Sequence, residues 1–198
     1  MAWNKYYIFV KSPKTKDLGE IIKQLNFGHL KPTETVPLHY SNKPDSLFAG
    51  FYNDNLLIVD PELPFDFFNT NQTDTEKLFI QTFPDSEICV LIENSTVGLF
   101  SFAIIKNGQK IRMKDGSDGE YYNDTGEELP EETESLSEKI FDDDEIEEMK
   151  EMEMTDEDIE AAKKFQASWN VPNLLSKRYL GEYVSDIDTN KVMLTKYN

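Results

Sequence analysis

Val97-Gly98-Leu99-Phe100-Ser101-Phe102-Ala103-Ile104-Ile105-Lys106-Asn107-Gly108-Gln109-Lys110-Ile111-Arg112-Met113-Lys114 reads as a β-hairpin. In the first half Phe100, Phe102 and Ile104 fall on one face, and Leu99, Ala103 and Ile105 on the other. A strand that is apolar on both faces belongs inside a sheet. Asn107-Gly108 accepts positive φ at both positions of a two-residue type I′ turn, so the chain doubles back there. In the returning half Lys110, Arg112 and Lys114 alternate with Ile111 and Met113. One face of that strand is expected to be wet, near a sheet edge.

Moving toward the N-terminus, Glu87–Glu93 is a second strand apolar on both faces. Thr73-x-x-Glu76 has the form of a capping box, which predicts a helix through Phe83 that Pro84 ends. Leu47–Tyr52 and Leu56–Asp60 are two apolar runs joined by Asn53-Asp54-Asn55, a good hairpin connection. Residues 29–45 hold Pro32, Pro37 and Pro44 without a clear period and are read as loop. Lys5–Val10 is a first strand. After Asp17-x-x-Glu20, the apolar residues Leu18, Ile21, Ile22 and Leu25 recur at helical spacing. Hairpins dominate this order, and only the first strand–helix–strand link offers a parallel crossover. The fold class is α+β: a mainly antiparallel or mixed sheet with short helices on one face.

Moving toward the C-terminus, Asp115–Gly119 reads as a polar turn, and the charge then changes abruptly. The whole chain has a formal net charge of −18. Residues 115–160 hold 22 of its 38 acidic residues against only Lys139 and Lys150, a local charge of −20, so the rest is close to neutral. Leu136, Ile140, Phe141, Ile146 and Met149 punctuate the block, and pairs of them share a helix face. Thr155-x-x-Asp158 resembles a helix start, and Ile159, Ala162, Phe165 and Trp169 form a stripe that Val171-Pro172 breaks. These features predict an acidic helical insertion over residues 127–169. Tyr179–Val184 and Lys191–Tyr197 then read as a C-terminal strand pair within 178–197. The chain reads as one domain, 1–198.

Composition excludes several function classes. No stretch approaches the roughly 20 apolar residues of a membrane span, and the first apolar run lacks the features of a signal peptide. The single Cys89 sits in an apolar run and reads as a buried small hydrophobe. A cytoplasmic setting follows. An anionic chain without a basic, aromatic-interleaved patch predicts no nucleic-acid and no membrane-surface partner.

Catalytic and metal signatures are weak. No phosphate-binding glycine loop or nucleophile elbow occurs. Counting twelve residues from Asp142 puts Asp144 third and Glu153 twelfth, as in an EF-hand. Ile146 and Glu147, however, occupy the fifth and sixth positions, where an oxygen ligand and Gly belong. No metal and no cofactor are expected. His29 and His39 share the segment read as loop and could meet there. Asp60 and Asp66, beside the Phe65–Phe68 cluster, are the carboxylate pair of interest, with turn capping the plainer reading.

The segment 46–132 resembles a family of uncharacterised bacterial proteins of unknown function. The resemblance rests on Leu47-Phe48-Ala49-Gly50-Phe51-Tyr52 with Leu56-Leu57-Ile58-Val59, on Val97–Ala103, and on Thr125-Gly126-Glu127-Glu128-Leu129-Pro130. It implies a bacterial, cytosolic protein and carries over no catalytic residues.

The function expected from the residues is non-enzymatic: a protein-binding module that docks a basic protein surface. The residues expected to carry it are Asp142, Asp143, Asp144, Glu145, Glu147 and Glu148. The physics is that of acidic immunity proteins or nucleic-acid mimics. The alternative is a small hydrolase-like enzyme with a carboxylate or histidine site in the α+β body.

Overall fold

In the computed structural model, which describes residues 4–198, the chain forms β1 (Asn4–Val10), α1 (Leu18–Gln24), β2 (Pro32–Pro37), β3 (Leu47–Tyr52), β4 (Asn55–Val59), α2 (Asp74–Thr82), β5 (Ile88–Asn94), β6 (Leu99–Lys106), β7 (Gln109–Ser117), β8 (Glu120–Gly126), α3 (Pro130–Ser137), α4 (Asp143–Glu151), α5 (Asp156–Ser168), α6 (Val171–Leu180) and β9 (Met193–Tyr197). The nine strands make one sheet in the order β2-β9-β3-β4-β1-β5-β6-β7-β8. Every pairing is antiparallel, so the strand–helix–strand link after β1 makes no parallel neighbour. The fold is α+β.

Alternation along the strands builds two cores. Tyr7, Phe9, Phe100, Phe102 and Ile104 face one layer. Ile8, Val10, Ala103 and Ile105 face the other, where Ile21, Ile22 and Leu25 of α1 and Phe79 of α2 cover them. The two short helices therefore share one face. The first layer is closed by Phe165 of α5 and by Val171, Leu175 and Tyr179 of α6. Phe100 anchors this closure, with ring centroids 5.4 Å from Phe165 and 5.7 Å from Trp169.

The two strongest turn signals fold as read. Asn107 and Gly108 take φ of +52° and +74°, and Asn53 and Asp54 take +47° and +63°, as type I′ hairpins require. Asp17, Thr73 and Thr155 each cap their helix by accepting the N–H three residues on.

Four expectations are corrected. Residues 29–45 are not all loop. They hold β2, which pairs with β9 at a sheet edge, and a single 3-10 turn at Leu38–Tyr40. Asp115–Gly119 is not a turn throughout: β7 runs to Ser117, and only Asp118-Gly119 turns the chain into β8. The first acidic residues of the block therefore belong to the sheet.

The C-terminal strand pair does not form. Tyr179 and Leu180 end α6, because Pro172 sits in that helix's first turn, where proline's missing N–H costs nothing. Only Met193–Tyr197 is a strand. It inserts between β2 and β3.

The basic residues of β7 are not on a wet face. Arg112 is 2% exposed and Lys114 is 8% exposed. The cause is a bulge: Ile105 pairs with Lys110 but Ile104 pairs with Arg112, leaving Ile111 unmatched. Lys110 therefore points to the α2 side, where it meets the buried Glu76 at 2.9 Å. Arg112 and Lys114 point to the α3 side, and Ile111 is left exposed.

Candidate functional site

The acidic block divides in the structure. In its first part Asp115, Asp124, Glu131 and Glu132 make internal contacts, while Asp118, Glu120, Glu127, Glu128 and Glu134 are exposed. Leu129-Pro130 starts α3 and places Glu132 at the third helical position, where its Oε2 accepts from the Leu129 N–H at 2.9 Å. The same carboxylate accepts from Arg112 Nε at 2.7 Å and Nη2 at 2.6 Å. Asp124 of β8 meets Arg112 Nη1 at 2.6 Å. Burial works against the Arg112 charge, but hydrogen bonds to Glu132 and Asp124 more than offset it and hold the proton beyond the ordinary arginine range.

Next to Glu132, Glu131 takes Arg178 of α6 in a second two-pronged pair, with Nη2 to Oε2 at 2.6 Å. Arg178 also lies 3.7 Å from Glu87, which accepts from the Tyr179 hydroxyl at 2.8 Å. Two adjacent glutamates thus tie α3 to β7 on one side and to α6 on the other. Asp115 is buried on the α2 face. Desolvation raises its pKa, opposed by a 2.7 Å hydrogen bond from Asn123 Nδ2.

The second part of the block faces solvent. All thirteen acidic residues from Glu138 to Glu160 are exposed, against the exposed Lys139 and Lys150. Asp142, Asp143, Asp144, Glu145, Glu147 and Glu148 lie together on α4 and its cap, and α4 buries none of its residues. Asp142 accepts from the Glu145 N–H at 2.9 Å, and Glu145 accepts from the Asp142 N–H at 2.8 Å. This reciprocal cap explains how so acidic a segment is helical. Acidic residues in the first turn also suit the helix dipole. Asp142 and Glu145 therefore hold the helix, whereas Asp143, Asp144, Glu147 and Glu148 are left as an anionic surface. One ion pair lies within it, Lys139–Asp143 at 3.7 Å, and a second beyond it, Lys150–Asp156 at 3.6 Å.

The remaining candidates do not assemble. His29 and His39 lie at opposite ends of β2, whose six residues separate them by about 20 Å. His39 Nδ1 is 3.1 Å from the Thr189 hydroxyl. Asp60 caps a turn, accepting from the N–H groups of Glu62 at 2.9 Å and Leu63 at 2.8 Å. Asp66 accepts from the Thr75 hydroxyl. Cys89 is fully buried, and desolvation pushes its thiol well up, opposite to what a nucleophile needs.

What sequence reasoning missed is the set Arg112, Lys114, Asp124 and Glu132. The one signal was three cations alternating along a strand that precedes the Glu131-Glu132 pair.

Among the described residues, no helix is long and apolar enough to cross a membrane. A family model, described as a family of unknown function (DUF6928), matches residues 13–156. No curated protein and no solved structure matches the chain.

Proposed function

The chain belongs to the family of unknown function DUF6928, and for it we propose a non-enzymatic role: a protein-binding module whose α4 arm docks a basic protein surface. The observation that carries this reading is the division of the acidic block. Carboxylates with a structural task are paired with Arg112 and Arg178. Those from Glu138 to Glu160 stand exposed on a helical arm whose α4 has no fully buried residue, only the half-buried Ile146 and Met149. A short exposed helix with unneutralised like charges is destabilising in isolation by a few tenths of a kcal/mol per i,i+4 pair. A cationic partner relieves that repulsion, and steering speeds its encounter most at low salt. The reading goes with a bacterial cytoplasmic setting, consistent with a single buried cysteine.

The experiment is a pull-down with the full chain as bait, beside a variant in which Asp143, Asp144, Glu147 and Glu148 are reversed to lysine. Asp142 and Glu145 are left intact because they cap α4. The expected result is a basic protein retained at low salt, released near molar salt, and absent with the variant. Partners indifferent both to salt and to the reversal overturn the reading.

A further inference from the structure

Between the β7–β8 floor and the walls of α3 and α5 lies a cavity of about 410 Å³. That is within the size range of small-molecule sites. It lies on the sheet side of the helices, apart from the α4 surface.

Its polar lining sets two ammonium groups, Lys114 and Lys164, beside the carboxylates of Asp124, Glu128 and Glu132. Glu132 Oε1 meets Arg112 at 2.6 Å and Lys114 at 3.4 Å, and Oε2 accepts from Arg112 Nε at 2.7 Å and from the Leu129 N–H at 2.9 Å. Asp124 Oδ1 meets Arg112 at 2.6 Å, and its Oδ2 is 3.5 Å from Lys114. Lys114 is the loosely held member. Its side chain is 10% exposed, yet both carboxylate contacts are longer than the roughly 2.8 Å of a good charge-assisted hydrogen bond. Its ammonium also sits 4.6 Å from the Tyr121 ring centroid. Lys164 of α5, on the facing wall, makes no ion pair among the described residues and also lines the cavity.

Leu136, Ala161, Ala167 and Val171 supply its apolar lining. Glu128 stands among the lining residues as an extra anion. It disfavours a doubly charged ligand such as phosphate over a singly charged one.

From these groups we infer that the cavity binds a short aliphatic monocarboxylate. The carboxylate sits between Lys114 and Lys164, and the chain lies against Leu136, Ala167 and Val171. Affinity should then depend on both ends. Each added methylene that fits should gain about fourfold, and loss of one charged donor should lose about tenfold.

The test is an amide-resolved NMR titration of the full chain with butyrate, pentanoate, hexanoate and inorganic phosphate. It is repeated on Lys164→Gln and on Ala161→Phe, both at exposed positions of α5. The expected result is saturable shifts at Lys114, Tyr121 and Lys164, tightening from butyrate to hexanoate. Phosphate should bind more weakly than hexanoate, Lys164→Gln should weaken hexanoate several-fold, and Ala161→Phe should reduce its binding by narrowing the cavity. The inference is overturned if hexanoate gives no saturable shift at tens of millimolar, if phosphate binds as tightly as hexanoate, or if either variant binds hexanoate as the parent does.

Discussion

Arg112 and Glu132, twenty residues apart, form a two-pronged ion pair with contacts of 2.7 and 2.6 Å. Both are buried, at 2% and 8% exposure. The pair joins β7 to α3, the first helix of the acidic block. Removing one partner strands a buried charge, which typically costs 3–5 kcal/mol, whereas removing both is far milder. Glu132→Ala is therefore expected to destabilise the protein by about 3 kcal/mol or more. It also leaves the Leu129 N–H without its acceptor. Arg112→Met combined with Glu132→Leu should recover most of the loss. Urea unfolding midpoints check both, and a double variant no better than Glu132→Ala would show that the loss comes from elsewhere.

Gly126 ends β8 with φ +90°, and a Cβ there would lie 2.0 Å from the Ile111 carbonyl oxygen at the β7 bulge. Gly119, φ +87°, has nothing within 4 Å of a Cβ. Alanine at 119 meets only backbone strain, about 1 kcal/mol. At 126 the clash adds to that strain, so Gly126→Ala should cost about 3 kcal/mol or more. Thermal melts of the two variants side by side separate strain from clash, and equal losses would mean that the bulge yields.

Burial raises the Asp115 pKa in the fold, with the Asn123 hydrogen bond opposing. The folded state then binds the proton more tightly than the unfolded chain. Between the ordinary aspartate value and the raised one, stability falls as pH rises. Above the raised value the penalty is constant. Asp115→Asn removes this term while keeping an oxygen for Asn123. The stability of the variant relative to the parent should therefore climb as pH rises through the acidic range and then level. Chemical denaturation of both proteins across that range tests it, and an advantage that shrinks with rising pH would contradict the sign.

Features set by neighbours in sequence were legible, and those set by distant partners were not. Asn107-Gly108 needs only its own backbone preference, and Asp17, Thr73 and Thr155 cap a turn three residues long. β2 was illegible because it is largely exposed and has proline at both ends. Its pairing comes from β9, 156 or more residues away. The end of α6, Tyr179-Leu180, reads as the start of a strand because Pro172 reads as a breaker unless the helix is known to begin at Val171. The wet face assigned to β7 failed on one bulged residue, Ile111, which no local pattern announces. The same holds at the candidate site. The exposed acids on α4 follow from their outnumbering the two nearby cations, Lys139 and Lys150. The internal use of Glu131 and Glu132 depends on Arg178 and Arg112, 47 and 20 residues away.

The α4 helix offers the sharpest local test, because none of its residues is fully buried. Nine residues are too few for a helix to persist on propensity alone. Its support is the Asp142–Glu145 cap. Its opposition is like charge at i,i+4, as between Asp144 and Glu148. Asp142→Ala should lower α4 stability by about 1 kcal/mol, a roughly fivefold loss of amide protection over residues 143–151. Glu148→Lys should act oppositely, turning a repulsive pair with Asp144 into an attractive one of favourable orientation. Added salt should raise protection in the parent and less so in Glu148→Lys, since screening removes a repulsion that the variant has already lost. Hydrogen exchange followed by mass spectrometry at two salt concentrations reads all three. Protection unmoved by Asp142→Ala would mean that contacts other than the cap hold the arm. The two variants also separate shape from charge in partner binding: a partner lost with Asp142→Ala but kept with Glu148→Lys reads the helix, and the reverse pattern reads the carboxylates.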